Sequence, residues 1–288
     1  VSLSFNNFRN LNSPFFIGSS KLNVLTKEYL ILINFDEIRD SFNIILVIIL
    51  AVLAGGLVKG AIGFGMPMII LGASAAISLP SLGLAVLLLP TLVTNIYQVS
   101  LFGRTELIAS VKEFKFFLLS CLLGLFVGAK LFVVANLNSL VGGIGLVVLV
   151  LSFVQLIKIK GPERNNSMRL SSIFGVITGL LGGGTGIWGP TTVLYLTSIA
   201  TPKQHQILVQ GLTFAFSSVF LLIAHLYTGI FNHKTGLLSA FMILPAMIGM
   251  LFGVGVQKYL NQEKFRLITL ISLCVGGIYL MFRSLYLF

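Results

Sequence analysis

From Phe42 onward the chain consists of long apolar blocks separated by short polar segments, and this pattern limits the fold more than any other feature. An apolar run of about 20 residues has the length of a membrane-spanning helix. Hydrophobic residues make up 56% of the chain and charged residues only 9%. A soluble domain of this composition would lack the polar residues that its surface needs, so soluble enzymes and nucleic-acid-binding proteins are strongly disfavoured. The pattern predicts an all-α polytopic membrane protein in contact with a lipid bilayer.

The apolar blocks predict about eight transmembrane helices. The first and fifth blocks are overlong, because they run on to about residues 78 and 200 and contain a Gly-rich break followed by a proline. At these two places we expect a broken or re-entrant helix. Residues 1–41 are expected to form a weakly ordered N-terminal extension. The predicted spans are 43–65, 82–102, 114–134, 139–158, 170–190, 206–228, 236–257 and 265–286.

The two halves of the chain resemble each other. The segment Gly56–Pro67 aligns with Gly179–Pro190, and five of the twelve positions are identical. The spacing persists further along the chain, which predicts two repeats of four helices at 42–160 and 168–286. Four complete spans per repeat would relate the halves as a parallel pair, whereas a hairpin plus three spans would invert them. The sequence leaves both relations open.

Basic residues outnumber acidic ones by 19 to 8, which gives a net charge of +11. In a polytopic protein, loops rich in Lys and Arg stay in the cytoplasm. With eight simple spans and a cytoplasmic N-terminus, thirteen Lys and Arg lie inside and five outside. This count predicts that both termini are cytoplasmic. If the two broken blocks fold back as hairpins, some loops change sides.

The two Gly-rich breaks are the candidate substrate site. Freed backbone amides and half-helix N-termini there would present positive partial charge to an anion. Lys59 adjoins the first break, and an ammonium inside a span either faces a cavity or snorkels to the interface. Trp188 either lines a pocket or serves as an interfacial anchor. The predicted substrate-binding residues are Lys59, Gly60, Gly63, Gly65, Pro67, Asn95, Gln98, Gly183, Gly184, Thr185, Gly186, Trp188, Pro190 and Gln210.

Each of these residues also has a purely structural interpretation. Small residues let helices pack closely, and this is the favoured role of the pairs Gly124/Gly128 and Gly249/Gly253. Intramembrane Asn, Gln, Ser and Thr commonly form hydrogen bonds between helices. All eight Asp and Glu lie in loops or at span edges, which disfavours a carboxylate proton relay and favours an anionic cargo. The sequence predicts no catalytic residue, no metal ligand and no cofactor.

The paired motifs Gly56–Pro67 and Gly179–Pro190, each followed by Pro80 or Pro202 and then by a Gly-x-x-x-Gly pair, resemble the sulfite exporter TauE/SafE family of permeases. The resemblance covers about 42–286. It implies export of small sulfur-containing or carboxylate anions across the cytoplasmic membrane of a bacterium. The first motif departs from the usual run of glycines at Lys59, Ala61 and Phe64.

The leading functional hypothesis is a secondary transporter for a small anion, either sulfite, an organosulfonate or a related carboxylate. The alternatives are an intramembrane enzyme and a non-transporting membrane assembly protein. A protease would need Gly-x-Ser-x-Gly with His, or paired aspartates, and neither lies in the predicted spans. The expected partners are the anion and the bilayer, not nucleic acid, and homo-oligomerisation stays open.

Overall fold

The structure is a computed structural model, and it describes residues 38–77, 79–134, 138–157, 167–228 and 231–286. All regular secondary structure in these ranges is helical, so the all-α class is confirmed for the described part of the chain. The predicted extension 1–41 lies outside these ranges except for its last residues. By length and composition, five segments could cross a membrane: Asn43–Ile62, Leu82–Ser100, Lys203–Tyr227, His233–Tyr259 and Gln262–Leu285.

Twelve helices are present within the described ranges. In chain order they are α1 Ile38–Ile62, α2 Met66–Ala76, α3 Pro80–Ser100, α4 Arg104–Glu113, α5 Lys115–Val134, α6 Asn138–Ile157, α7 Met168–Thr185, α8 Gly189–Ser198, α9 Lys203–Thr228, α10 His233–Phe241, α11 Ile243–Tyr259 and α12 Gln262–Tyr286. The sequence missed α4, which occupies a segment expected to be a loop. It also missed the break between α10 and α11 at Met242, three residues before Pro245, whose ring disfavours a continuous helix.

The first overlong block folds back on itself. Helix α1 ends at Ile62, and α2 begins at Met66 after Gly63 and Gly65, whose φ angles are +88° and +101°. Only glycine adopts such angles without strain. A Cβ added at Gly55 would lie 3.0 Å from Met66 Cγ, although residues eleven apart in a continuous helix are separated by about 16 Å. Helices α1 and α2 therefore form a helical hairpin, called hairpin 1.

The fifth block folds back in the same way. Helix α7 ends at Thr185, Gly186 has a φ of +70°, and α8 begins at Gly189. The Thr178 hydroxyl donates a hydrogen bond of 3.0 Å to Thr191 Oγ1, and these residues would be about 20 Å apart in a continuous helix. Helices α7 and α8 form hairpin 2. The expectation of broken or re-entrant helices at both blocks is confirmed.

Glycines set the closest helix contacts. A Cβ added at Gly56 would meet the carbonyl group of Ala246, and one added at Gly60 would meet that of Met250. Because both residue numbers increase together, α1 and α11 run parallel. The packing role predicted for the pairs Gly124/Gly128 and Gly249/Gly253 is confirmed, because a Cβ added at any of these four glycines would meet the backbone of a neighbouring helix. The equivalent pairs between α5 and α7, also parallel, are Gly124 with Val176 and Gly128 with Leu180.

Two other helix pairs are antiparallel. The Asn95 side chain of α3 contacts Ser218 of α9, whereas Gln98 further along α3 contacts Ile207 earlier in α9. Helices α6 and α12 are antiparallel as well, since Gly145 packs on Gly277 and Gln155 contacts Arg266. Each pair joins helices that occupy equivalent positions in the two halves of the chain.

Polar contacts join several helix ends at one end of the bundle, called end A. Lys203, at the start of α9, donates from Nζ to the carbonyl oxygens of Gln257 (3.0 Å) and Leu260 (2.7 Å), at the end of α11. His205 Nδ1 lies 3.8 Å from Glu113 Oε2, which places the end of α4 there as well. With the helix directions above, α1 and α10 begin at the opposite end, called end B.

Candidate functional site

The tips of the two hairpins meet inside the helix bundle. A Cβ added at Gly189, on hairpin 2, would lie 3.4 Å from Phe64 Cδ2, on hairpin 1. Both tips line one cavity. The remaining walls come from α3 and α9. The lining residues are Lys59, Phe64, Gly65, Pro67, Met68, Thr91, Asn95, Gly186, Ile187, Trp188, Gly189, Pro190 and Phe214.

Lys59 is the cationic side chain of this cavity. It is only 2% exposed, and its Nζ donates a hydrogen bond to Asn95 Oδ1. Asn95 Nδ2 in turn donates to Ser218 Oγ at 3.3 Å, so the chain of contacts links hairpin 1 to α3 and α9. The alternative that Lys59 snorkels to the membrane interface is wrong, because its side chain points into the bundle. No carboxylate stands among the described residues that line the cavity.

Thr91 is a further polar residue of the cavity, and the sequence did not predict it. It lies one helical turn before Asn95 on α3 and is 2% exposed. Its hydroxyl has no hydrogen-bond partner among the described atoms, although it lines the cavity. A buried hydroxyl without a partner is costly, so this position suits a ligand oxygen. Its spacing of four residues from Asn95 was the available signal, since residues i and i+4 share a helix face.

Two short helices also begin at the cavity. Gly65 is the N-cap of α2 and Trp188 that of α8, and neither helix has a side-chain cap. Pro67 and Pro190 stand at the start of these helices and line the cavity. The first amides of a helix have no partner within the helix and carry positive partial charge. Two such ends and an ammonium group therefore converge on the same space.

The rest of the wall is apolar and aromatic. Trp188 is 2% exposed, and its ring centroid lies 6.3 Å from that of Phe214 on α9. The alternative that Trp188 anchors the chain at the membrane interface is wrong, because the indole is enclosed at the hairpin tip. Phe64 and Met68 of hairpin 1 also line the cavity. The cavity lining thus combines polar side chains from α1 and α3 with apolar side chains from both hairpins and α9.

Gln98 and Gln210 lie behind the tip of hairpin 1 rather than in the cavity wall. Gln98 Nε2 donates to the carbonyl oxygen of Ile207 at 2.8 Å. With its amide oriented so that nitrogen is the donor, Gln210 donates to the carbonyl oxygens of Ile62 (3.2 Å) and Gly63 (3.1 Å). These carbonyls lose their helical partners where α1 ends. Gln210 therefore holds the tip in place, and Gln98 ties α3 to α9.

The other predicted glycines divide between packing and the cavity. Gly60 faces the backbone of Met250 on α11, whereas Gly65 and Gly186 line the cavity. Gly183 and Gly184 lie in the last turn of α7. The surroundings of Gly184 and the side chain of Thr185 fall outside the described residues.

A chain of several apolar helices, with two broken hairpins enclosing a buried lysine, has the features of a membrane protein of the transporter class. Comparison with known families specifies it further. The model of the family "Sulfite exporter TauE/SafE" matches residues 47–280, and the chain belongs to this family. The resemblance inferred from the Gly/Pro motifs is thereby confirmed. No curated protein and no solved structure matches the chain.

Proposed function

We propose that this protein is a secondary transporter for a small anion, either sulfite, an organosulfonate or a related carboxylate, in the cytoplasmic membrane of a bacterium. The observation that carries the proposal is the junction of the two hairpin tips around the buried Lys59 ammonium. Family membership supports export of sulfite or a related anion as the direction and cargo. A cavity lined by the Lys59 ammonium, with no carboxylate among its described lining residues, attracts anions.

The anion would be held by four kinds of group. Lys59 supplies charge, and the N-termini of α2 and α8 supply amide dipoles. The Thr91 hydroxyl and the Asn95 amide offer hydrogen bonds from α3. The aromatic wall formed by Phe64, Trp188 and Phe214 would exclude water and strengthen these interactions.

We further propose that the two repeats, 42–160 and 168–286, each contain one re-entrant hairpin and three full spans. Two observations support an inverted relation between them. The equivalent helices α3 and α9 are antiparallel, and so are α6 and α12. A parallel repeat would leave equivalent helices pointing the same way. In this architecture the eight apolar blocks correspond to six spans and two hairpins.

The site would then lie near the middle of the membrane. Asn95 contacts Ser218, the neighbour of Ser217, and the repeat spacing of 122 at Pro80 and Pro202 pairs Asn95 with Ser217. A residue that contacts the immediate neighbour of its own repeat equivalent lies close to the symmetry axis. For an inverted repeat, that axis runs in the plane of the membrane. Lys59, bonded to Asn95, would sit beside it.

Hairpin folding changes the side of the membrane on which several loops lie. Among the described residues near the span ends, eight Lys and Arg lie at end A and four at end B, so we propose that end A is cytoplasmic. The start of α1 and the end of α12 would face outward, contrary to the sequence expectation. The described residues at end A are Arg104, Lys112, Lys115, Arg169, Lys203, Lys258, Lys264 and Arg266, and those at end B are Arg39, Lys130, Lys234 and Arg283.

Counterflow in proteoliposomes tests the transport proposal. Vesicles loaded with unlabelled sulfite, and others loaded with sulfoacetate, are diluted into the same radiolabelled anion. We expect transient accumulation of label that unlabelled anion abolishes and that protein-free vesicles do not show. Absence of exchange with both anions, in protein that elutes as a single species, would contradict the proposed function.

A further inference from the structure

We propose that Lys59 also carries the coupling proton, so that one proton crosses the membrane with each anion. This inference rests on the proposed anion transport and concerns the same site. It assigns Lys59 two states, an ammonium when the anion is bound and a neutral amine when the cavity is empty. Each state keeps the cavity close to neutral while it changes access from one side of the membrane to the other.

The surroundings of Lys59 supply the physical reason. An ammonium that is 2% exposed has lost nearly all its water, and its one described acceptor is the neutral amide oxygen of Asn95. An uncompensated charge at such a place is very unfavourable. A bound anion compensates the ammonium charge when the cavity is loaded. When the anion leaves, loss of the proton is the remaining route to neutrality, and an amine still donates to Asn95 Oδ1.

No other described group near the cavity can carry the proton. Lys59 is the one ionisable side chain among the residues that line it. Helix α2 has no ionisable side chain at all. Among residues whose side chains the structure describes, none of the ionisable groups on the other helices packed on α1 lines the cavity. These groups are Tyr97 on α3; Lys258 and Tyr259 on α11; and Glu263, Lys264, Arg266, Cys274, Tyr279 and Arg283 on α12.

The transport cycle balances in charge. On the loading side, the lone pair of the Lys59 amine takes a proton from water, and the anion binds the resulting ammonium. On the other side the anion dissociates and the proton returns to water. A monoanion thus crosses with no net charge, and a dianion carries one negative charge. The empty carrier returns with a neutral amine. Because an inward proton gradient opposes export of an anion together with a proton, net export requires an outward anion gradient larger than that proton gradient.

The experiment compares wild type, Lys59→Arg and Lys59→Gln in proteoliposomes, with sulfite and with sulfoacetate. Membrane potential is clamped with potassium and valinomycin, and a pH gradient of one unit, acidic outside, is imposed. Proton coupling predicts uphill anion uptake by wild type, to about tenfold accumulation because one pH unit is a tenfold proton ratio. Titration and leak of the anion itself are the same for every variant and cancel. Lys258→Arg, an exposed substitution on α11, is the matched control and should behave as wild type.

The arginine variant gives the sharpest contrast. A guanidinium remains charged, so Lys59→Arg should retain weaker counterflow but lose uptake driven by the pH gradient. Lys59→Gln, which carries no charge, should show weak exchange that does not respond to the gradient. If wild type exchanges anions but ignores the gradient, or if Lys59→Arg follows it as wild type does, the coupling inference is overturned and anion transport stands. If wild type does not exchange at all, the proposed function fails and the coupling with it.

Discussion

At the residue scale, the charge of Lys59 should determine how tightly the anion binds. A charge-assisted hydrogen bond contributes about 1.5–3 kcal/mol, so Lys59→Met should weaken apparent affinity roughly ten- to hundredfold. The protein should still insert, because methionine fills a similar apolar volume in a buried position. Initial exchange rates over a range of anion concentrations measure the effect, with membrane abundance checked by immunoblot. Unchanged affinity would leave the backbone amides as the sole basis of the anion site.

Thr91→Val tests the anion site with a smaller chemical change than Lys59→Met. Thr91→Val keeps the shape and removes a hydroxyl that has no described partner, so thermal stability should be unchanged or slightly raised. Loss of one hydrogen bond to the anion, about 1 kcal/mol, should weaken affinity by about fivefold. The matched control is Thr94→Val on the same helix, whose hydroxyl donates to the Pro90 carbonyl oxygen at 2.6 Å. Equal affinities in wild type and Thr91→Val would remove Thr91 from the site.

At the scale of secondary-structure elements, the glycine contacts between α1 and α11 should limit stability. A Cβ at Gly253 would meet the carbonyl oxygen of Leu57 and lie 2.8 Å from the Cα of Gly60, and backbone cannot move aside easily. Gly253→Ala should therefore destabilise the protein by about 1–3 kcal/mol. On the same helix, Gly255 has open space around its Cβ position, so Gly255→Ala should be neutral or stabilising. Thermal unfolding in detergent measures both, and equal midpoints would argue against close α1–α11 packing.

Helix α3 shows why element boundaries and roles differ from what periodicity predicts. Pro90 lies inside α3, where it lacks the amide hydrogen that would bond to the Val86 carbonyl oxygen. Ser239 of α10 compensates, since its hydroxyl donates to that oxygen at 3.0 Å and accepts from the Leu89 amide at 3.1 Å. Val86 and Ser239 are 153 positions apart in the sequence. A pattern of apolar spacing along α3 contains no information about that partner.

At the scale of the whole molecule, the topology predicts which end of the bundle is accessible from outside. We expect Lys234→Cys, at end B, to react with a membrane-impermeant maleimide in intact spheroplasts. Lys258→Cys, at end A, should react only after permeabilisation. Both substitutions are made in a Cys121→Ala, Cys274→Ala background, and both lysines are exposed, so access depends on the side of the membrane. The opposite labelling pattern would restore the orientation predicted from eight simple spans.

The sequence by itself determined the class and the family of this protein. Membrane residence follows from composition and block length, because apolar side chains are stabilised in the hydrocarbon region of a bilayer whatever they pack against. The Gly/Pro breaks were also readable, since Gly63, Gly65 and Gly186 adopt backbone angles that other residues avoid. The sequence also shows Lys59 beside the first break, and this residue lines the cavity.

The tertiary structure decided which way each hairpin turns and what each side chain faces. A Gly-rich break permits either a kinked crossing or a reversal, and the choice depends on contacts such as Thr178 with Thr191. That choice in turn sets the direction of every later helix, and therefore the side on which each basic loop lies. Burial of Trp188 and the missing partner of Thr91 likewise depend on residues distant in sequence. Local apolar patterning is insensitive to such long-range contacts, which only the packed bundle specifies.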